Sequence, residues 1–321
     1  MNTTSRRDEG PMNTTSRILG EAMTPRQKRI YKDPKKAVAW AVKHGQRFPE
    51  AEPYILKATG HAYSYAKDVL KGRWPEAEEA IATDPRWAHL YARDILKDRF
   101  PKGESVIATN PAKAYHYAVE VVRGRFPEGE PAIATSPYNA YSYARDVLKG
   151  RWPEAEEAIA TDPRWAHFYA KDIIKGRWPE GEEAIATDPA KAYDYAKDVI
   201  GGRWPEGEAT FARSPSWAHF YARDVLKGRF PEGEPAIATD PAKAYDYAKD
   251  VLKGRWPEAE AIIATDLGVA VAYAGQVIKG RWPEAEPVIA SRPEFVKSYL
   301  KLFPEAKLEW AINGWLDWTD L

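Results

Sequence analysis

The tetrapeptide RWPE, or a close variant, returns at Arg47, Arg73, Arg99, Arg125, Arg151, Arg177, Arg203, Arg229, Arg255 and Arg281, always 26 residues from the last. A strict period of this length dictates a stack. A unit so short cannot bury its apolar residues alone and must cover them with its neighbours. The consensus is RWPEAEEAIATDPAKAYDYAKDVLKG, whose positions are numbered slots 1 to 26. One run, KGRWPEAEEAIATDPRWAH, occurs twice unchanged, at Lys71 to His89 and at Lys149 to His167.

Each repeat carries two helix signatures. Slot 3 is proline in all ten copies, suited to a first helical position, and acids at slots 4 and 6 favour the positive end of a helix. A first helix is expected over about slots 3 to 11. Slots 12 and 13 read Asp-Pro, Asn-Pro or Ser-Pro in seven copies, as at Asp84-Pro85 and Ser136-Pro137, which is an N-cap followed by a first-turn proline. The second helix should run from there to the glycine at slot 26, the expected left-handed stop. Apolar slots 5, 8 and 9 stripe the first helix, and slots 16, 19, 20, 23 and 24 stripe the second at spacings of three and four.

These features predict an all-α solenoid of about ten helix pairs, right-handed by analogy with common helix-pair arrays. Residues 47–302 form the array. Residues 24–46 carry irregular helix starts at Thr24-Pro25 and Asp33-Pro34 and read as an N-terminal cap. Residues 1–23, in which the hexamer MNTTSR occurs twice, are polar enough to be disordered. Residues 303–321 read as a C-terminal cap in which Trp310, Trp315 and Trp318 cover the last core face.

The array resembles the short helix-pair repeats of bacteriophages, large DNA viruses and some microbes. It shares their acid-rich first helix, N-cap turn and second helix reading AxxYAxxVL, matched by Ala88, Tyr91, Ala92, Ile95 and Leu96. The resemblance implies the architecture and suggests a host-directed or defence-inhibiting role.

Composition narrows the function classes. Lys plus Arg equals Asp plus Glu at 47 each, so no net field draws in nucleic acid, and a nucleic-acid partner is disfavoured. The absence of cysteine removes disulfides and thiolate chemistry. No apolar run is long enough for a membrane span or a signal peptide, so a soluble, cytoplasmic protein without a membrane partner is expected. The glutamates at slots 4 and 6 point in different directions on a helix and recur, slot 6 in all ten copies and slot 4 in all but the one with Lys102, which is not how an acid–base pair is built. The expected role of the slot 6 glutamate is a ladder of ion pairs with the slot 1 arginine of its own or the adjacent repeat, built from residues such as Arg73, Glu78, Arg151, Glu156, Arg177 and Glu182. Tyrosine at slot 19 should be an interior ring whose hydroxyl reaches a polar group at the repeat junction. His89, His167 and His219 share slot 17 in separate repeats, too far apart for one metal ion. No metal, cofactor or catalytic residue is expected, and the chain reads as a non-enzyme.

What varies between copies is slots 14, 15, 17 and 18. One version reads RWAHL, RWAHF or SWAHF, the other AKAYD or AKAYH. The first offers partner-binding candidates: Trp87 with Leu90, Trp165 with Phe168, and Trp217 with Phe220, an aromatic and an apolar side chain one turn apart. The competing reading is that each tryptophan packs over a neighbouring helix, with histidine at slot 17 making room. The function that follows is a non-enzymatic protein-binding scaffold. Alternatives are a structural protein that self-associates end to end into a filament or virion part, and a nucleic-acid or carbohydrate binder using exposed aromatics.

Overall fold

Proline at slot 3 starts an α-helix in five repeats, at Pro101, Pro153, Pro179, Pro205 and Pro257, and a 3-10 turn at Pro49 and Pro75, while in the other three it lies in a turn before a helix that begins at slot 6, at Glu130, Glu234 and Glu286. The computed structural model describes residues 23–306 and 308. Among these residues the chain is all helix and turn, an α-solenoid of regularly repeated helix pairs. The chain divides into two compact units, residues 1–158 and 159–321.

The first helix, as in Pro101–Ile107 and Pro179–Ile185, ends at slot 9, two residues earlier than the apolar pattern suggests. A backbone turn closes it, with the slot 12 N–H donating to the slot 9 carbonyl as Asn110 does to Ile107 and Ser214 to Phe211. Where slot 11 is threonine, the Thr83, Thr109 and Thr187 hydroxyls each donate to the slot 8 carbonyl at 2.7 Å, satisfying an orphan group of the helix end. The second helix begins as expected. The Asp84 carboxylate accepts from the backbone N–H groups of Arg86 and Trp87, and Asp188 does the same for Ala190 and Lys191.

The end of the second helix departs from expectation. After seven α-helical residues, such as Pro189–Tyr195, the next five widen into a π-helical turn, Ala196–Ile200. The left-handed residue is then slot 25, not the slot 26 glycine. Lys71, Lys97, Arg123, Lys149, Lys175, Lys227, Lys253 and Lys279 have φ between 52° and 58°, and Gly201 occupies the same slot at 71°. The cause is the slot 20 carbonyl, which accepts two N–H groups. Ala66 O takes the N–H of Lys71 and, at 3.1 Å, that of Gly72, so the chain must reverse at slot 25. Asp98 at slot 26 shows that glycine is not required there. Widening the turn also rotates slots 23 and 24 off the α-helical stripe, and Val69, Leu70, Ile95 and Leu96 are only half-buried.

The core is correspondingly narrow and repetitive. Alanines at slots 16 and 20 are fully buried, as are the slot 19 tyrosines and slot 9 isoleucines. Between repeats, the slot 2 ring lies against the tyrosine of the preceding repeat: Tyr65 with Trp74, Tyr117 with Phe126 and Tyr195 with Trp204 have centroids 5.0 to 5.1 Å apart. Tilted and edge-on pairs of this kind contribute about 0.5–1.5 kcal/mol each beyond buried area.

At the N-terminal end, helix Pro34–His44 buries Ala37, Val38 and Ala41 and lays Trp40 on Phe48, with centroids 5.1 Å apart. Trp40 thus stands where a preceding repeat would supply its tyrosine. At the other end Phe303, Ala306 and Leu308 are buried behind Tyr299. The expected disordered segment, apart from residue 23, and the expected cap residues Trp310, Trp315 and Trp318 lie outside the described residues.

Candidate functional site

The acids and arginines fall into place first, because they frame the variable slots. All ten slot 1 arginines pair with the slot 6 glutamate of their own repeat. Arg73 meets Glu78 at 2.6 Å, Arg151 meets Glu156 at 2.8 Å and Arg177 meets Glu182 at 2.7 Å, and each guanidinium engages both carboxylate oxygens. Two rungs also reach the next repeat, where Arg177 donates to Glu206 at 2.8 Å and Arg203 lies 3.9 Å from Glu232. The same carboxylate receives the slot 19 hydroxyl, and that oxygen in turn accepts the slot 2 N–H. Tyr195 donates to Glu182 at 2.9 Å and accepts from Trp178 N–H at 2.8 Å. Arginine, tyrosine and the buried backbone N–H therefore close around one carboxylate in each repeat. The Arg99 guanidinium beside Glu104 holds its carboxyl below the usual range despite burial, and Arg125 does so for Glu130. Burial pushes the Tyr65 phenol up to about 12, although the Phe48 N–H opposes it. The carboxylates and phenols are matched and enclosed and the exposed arginines are held by both carboxylate oxygens, which leaves the set structural.

The variable slots form a second seam along the outer edge of the second helices. At slot 17 a tyrosine hydroxyl crosses to the slot 22 acid of the next repeat, 31 residues on: Tyr115 donates to Asp146 at 2.7 Å, Tyr193 to Asp224 at 2.6 Å, and Tyr63 to Asp94. The slot 21 cation completes the rung, as Arg93 does for Asp94 at 2.6 Å and Arg223 for Asp224 at 2.7 Å. Arg93 and the Tyr63 hydroxyl hold the Asp94 carboxyl far below its ordinary value, against the effect of burial. The slot 21 cations are thus engaged, while the slot 25 cations are exposed.

Slot 15 reads the preceding repeat. Trp87 lies across Gly60 and Tyr63, with its ring centroid 5.2 Å from that of Tyr63 and Arg86 covering it at 4.8 Å. Trp217 takes the same position on Tyr193, 5.6 Å away, with Phe220 beside both. Trp87, Trp165 and Trp217 are all half-buried, as are Leu90, Phe168 and Phe220. The histidine that accompanies each tryptophan does not make room for it. It faces the other way, toward the next repeat, where slot 15 is always lysine: Lys113 follows His89, Lys191 follows His167 and Lys243 follows His219. Those lysines arch over the slot 18 ring, Lys191 over Phe168 at 5.7 Å and Lys243 over Phe220 at 5.5 Å.

The alternation is therefore a matched set of junctions. At Trp87 and at Trp217 the incoming tryptophan lies on the tyrosine of the repeat before. Leaving the tryptophan-bearing helix, lysine covers a slot 18 side chain beside a buried histidine. What stays open to a ligand is the outward edge of these rings. Beside Trp87 this edge forms one wall of a shallow groove of about 550 Å³, also lined by Ala58, Gly60, His61, Ser64 and Asp84. Among the described residues no group of three histidine or acidic side chains is placed to hold a metal ion. No described helix is long and apolar enough to cross a membrane.

The slot 17 to slot 22 contact and the slot 15 to slot 17 contact were missed by sequence reasoning. Their signal is present: wherever slot 15 is tryptophan, slot 17 of the repeat before is tyrosine, as in Tyr63, Tyr141 and Tyr193. Comparison with known proteins adds no relative, since no family model, curated protein or solved structure matches this chain.

Proposed function

We propose that the chain is a non-enzymatic scaffold that binds a protein partner along the outer edge of its second helices. Trp87, Trp165 and Trp217 are the anchors, with Leu90, Phe168 and Phe220 beside them. The observation that carries this reading is the groove of about 550 Å³ beside Trp87, where a half-buried indole held by Tyr63 and Arg86 offers its edge next to Asp84, His61 and Ser64. A rigid aromatic flanked by polar groups is the composition of an interface hot spot. Repetition of the framework supports it, because slots that build the stack recur while these differ. The likeness to phage and viral helix-pair repeats favours a host protein as the partner.

The test must spare the tryptophans, which also hold the junctions. Serine already stands at slot 18 in Ser64 and Ser142. The triple variant Leu90→Ser, Phe168→Ser, Phe220→Ser should keep native helicity. Affinity capture from an extract of the host cell in which the chain is made, compared between native and variant baits, should lose at least one protein. Identical capture by both baits contradicts the proposal.

A further inference from the structure

Every candidate anchor pair flanks a buried histidine on the same helix. His89 sits between Trp87 and Leu90, His167 between Trp165 and Phe168, and His219 between Trp217 and Phe220. These imidazoles are 2%, 2% and 1% exposed. A tyrosine at this slot sends its hydroxyl to the slot 22 acid of the next repeat, whereas the shorter imidazole makes no hydrogen bond to the aspartate there at His167 and His219 and meets only the longer Glu120 at His89. Both ring nitrogens of His167 and of His219 lack a hydrogen-bond partner, and so does Nδ1 of His89.

Charged groups surround each ring on both packed elements, and most are already paired. His89 faces Arg93 on its own helix and Glu120, Lys113 and His116 on the next repeat. Its Nε2 lies 3.1 Å from Glu120, which Arg93 and His116 also engage, at 3.1 Å and 3.3 Å. His167 faces Lys171 on its own helix and Lys191, Asp194 and Asp198 on the next. Asp194 is held by Lys191 and Asp198 by Lys171, both at 2.7 Å. His219 faces Arg223 on its own helix and Lys243, Asp246 and Asp250 on the next, with Asp250 3.8 Å away and Asp246 held by Lys243. A neutral imidazole fits these sites, whereas an imidazolium would lack water and, at His167 and His219, a hydrogen-bonded counter-ion.

We propose that mild acidification opens the three histidine junctions and thereby releases what the flanking anchors hold. The release half rests on the binding function proposed above; the opening half stands without it. Burial, outweighing the facing acids, lowers all three imidazoles below the ordinary 6.5. The folded state therefore binds fewer protons than the unfolded state. The stability gained by keeping the rings neutral is complete above pH 6.5 and is lost as pH falls through the lowered values. His89, whose Nε2 already has a carboxylate, should resist longest.

Hydrogen exchange on the full chain tests this, measured at about pH 7.5 and about pH 5.5 and corrected for intrinsic rates. Protection should fall in residues 163–174 and 215–226, less in 85–96, and stay unchanged in 59–70, which carries Tyr63 at slot 17, and in 267–278, which carries Val271 there and receives the Tyr245 hydroxyl. Each tenfold fall corresponds to about one pH unit of protonation below 6.5. An equal fall in all five segments, or none, overturns the opening. His167→Gln and His219→Gln should each abolish the fall in their own segment, and persistence of the fall assigns it to other groups. Should either variant fail to fold, the comparison among native segments still decides. Opening at about pH 5.5 with capture undiminished overturns the release half alone.

Discussion

Replacing Tyr195 by phenylalanine removes one oxygen and leaves the ring on Trp204, 5.1 Å away. That oxygen serves two buried groups. It accepts from Trp178 N–H at 2.8 Å and donates to Glu182 at 2.9 Å, and Tyr195 is fully buried. Without it the N–H has no acceptor, which costs about 1–3 kcal/mol. The carboxylate loses one charge-assisted bond but keeps Arg177, so this second loss is at the lower end of the about 1.5–3 kcal/mol typical of such bonds. Together the variant should lose about 2–4 kcal/mol. Urea unfolding followed by circular dichroism measures it, with exchange of the Trp178 amide as the local readout, since repeat arrays need not unfold in one step. Tyr193→Phe is the control. Its hydroxyl meets Asp224 at a half-buried rim, so the cost should be about 0.5–1.5 kcal/mol. A Tyr195→Phe protein within about 0.5 kcal/mol of native, or no worse than Tyr193→Phe, refutes the claim that this hydroxyl staples the repeat.

Lys253→Gly should raise stability by about 0.5–1 kcal/mol in the same urea assay, because its φ of 56° is strained for any residue with a Cβ and Gly201 already fills the equivalent slot. Gly60→Ala would place a Cβ 2.7 Å from the Trp87 ring, so the indole must lift from Tyr63. A loss of about 1–3 kcal/mol and weaker partner capture should follow, and a stability equal to native would show that the ring does not rest there. The lowered carboxyls of Glu104, Glu130 and Glu286 contribute stability that is complete above the ordinary value of 4.5 and lost as pH falls through their folded values. An acid titration of the melting temperature should therefore show a second decline below the histidine range, flattened by the Arg281→Gln variant at its own rung.

Much of the architecture is legible in one repeat read by itself. Proline at slot 3, the Asp-Pro caps, the arginine–glutamate rung and the interior tyrosine with a junction partner all follow from residue chemistry at short range. The rest fails for identifiable reasons. The slot 26 glycine invites a left-handed stop, but a carbonyl at slot 20 that accepts two N–H groups moves the reversal to slot 25. A backbone turn from the slot 12 N–H to the slot 9 carbonyl ends the first helix, even where slot 11 is Lys57 or Arg213, and the residue types at slots 10 and 11 do not announce it. Partners such as Tyr115 and Asp146 lie 31 residues apart in different repeats, and a period of 26 gives no register between faces. For the same reason Trp87 could be read as free surface. Only the placement of helix on helix shows it resting on Gly60 and Tyr63.

The central claim is that the variable slots are matched across junctions, slot 15 of one repeat to slot 17 of the repeat before. A double-mutant cycle on Tyr193→His and Trp217→Lys tests it most directly, since the pair converts a tryptophan-on-tyrosine junction, with rings 5.6 Å apart, into the lysine–histidine kind found beside His167 and Lys191. Each single change should cost more than its share, and the double variant should recover a coupling of about 0.5–1.5 kcal/mol. Costs that add within about 0.3 kcal/mol would contradict the matching and return slot 15 to independent surface.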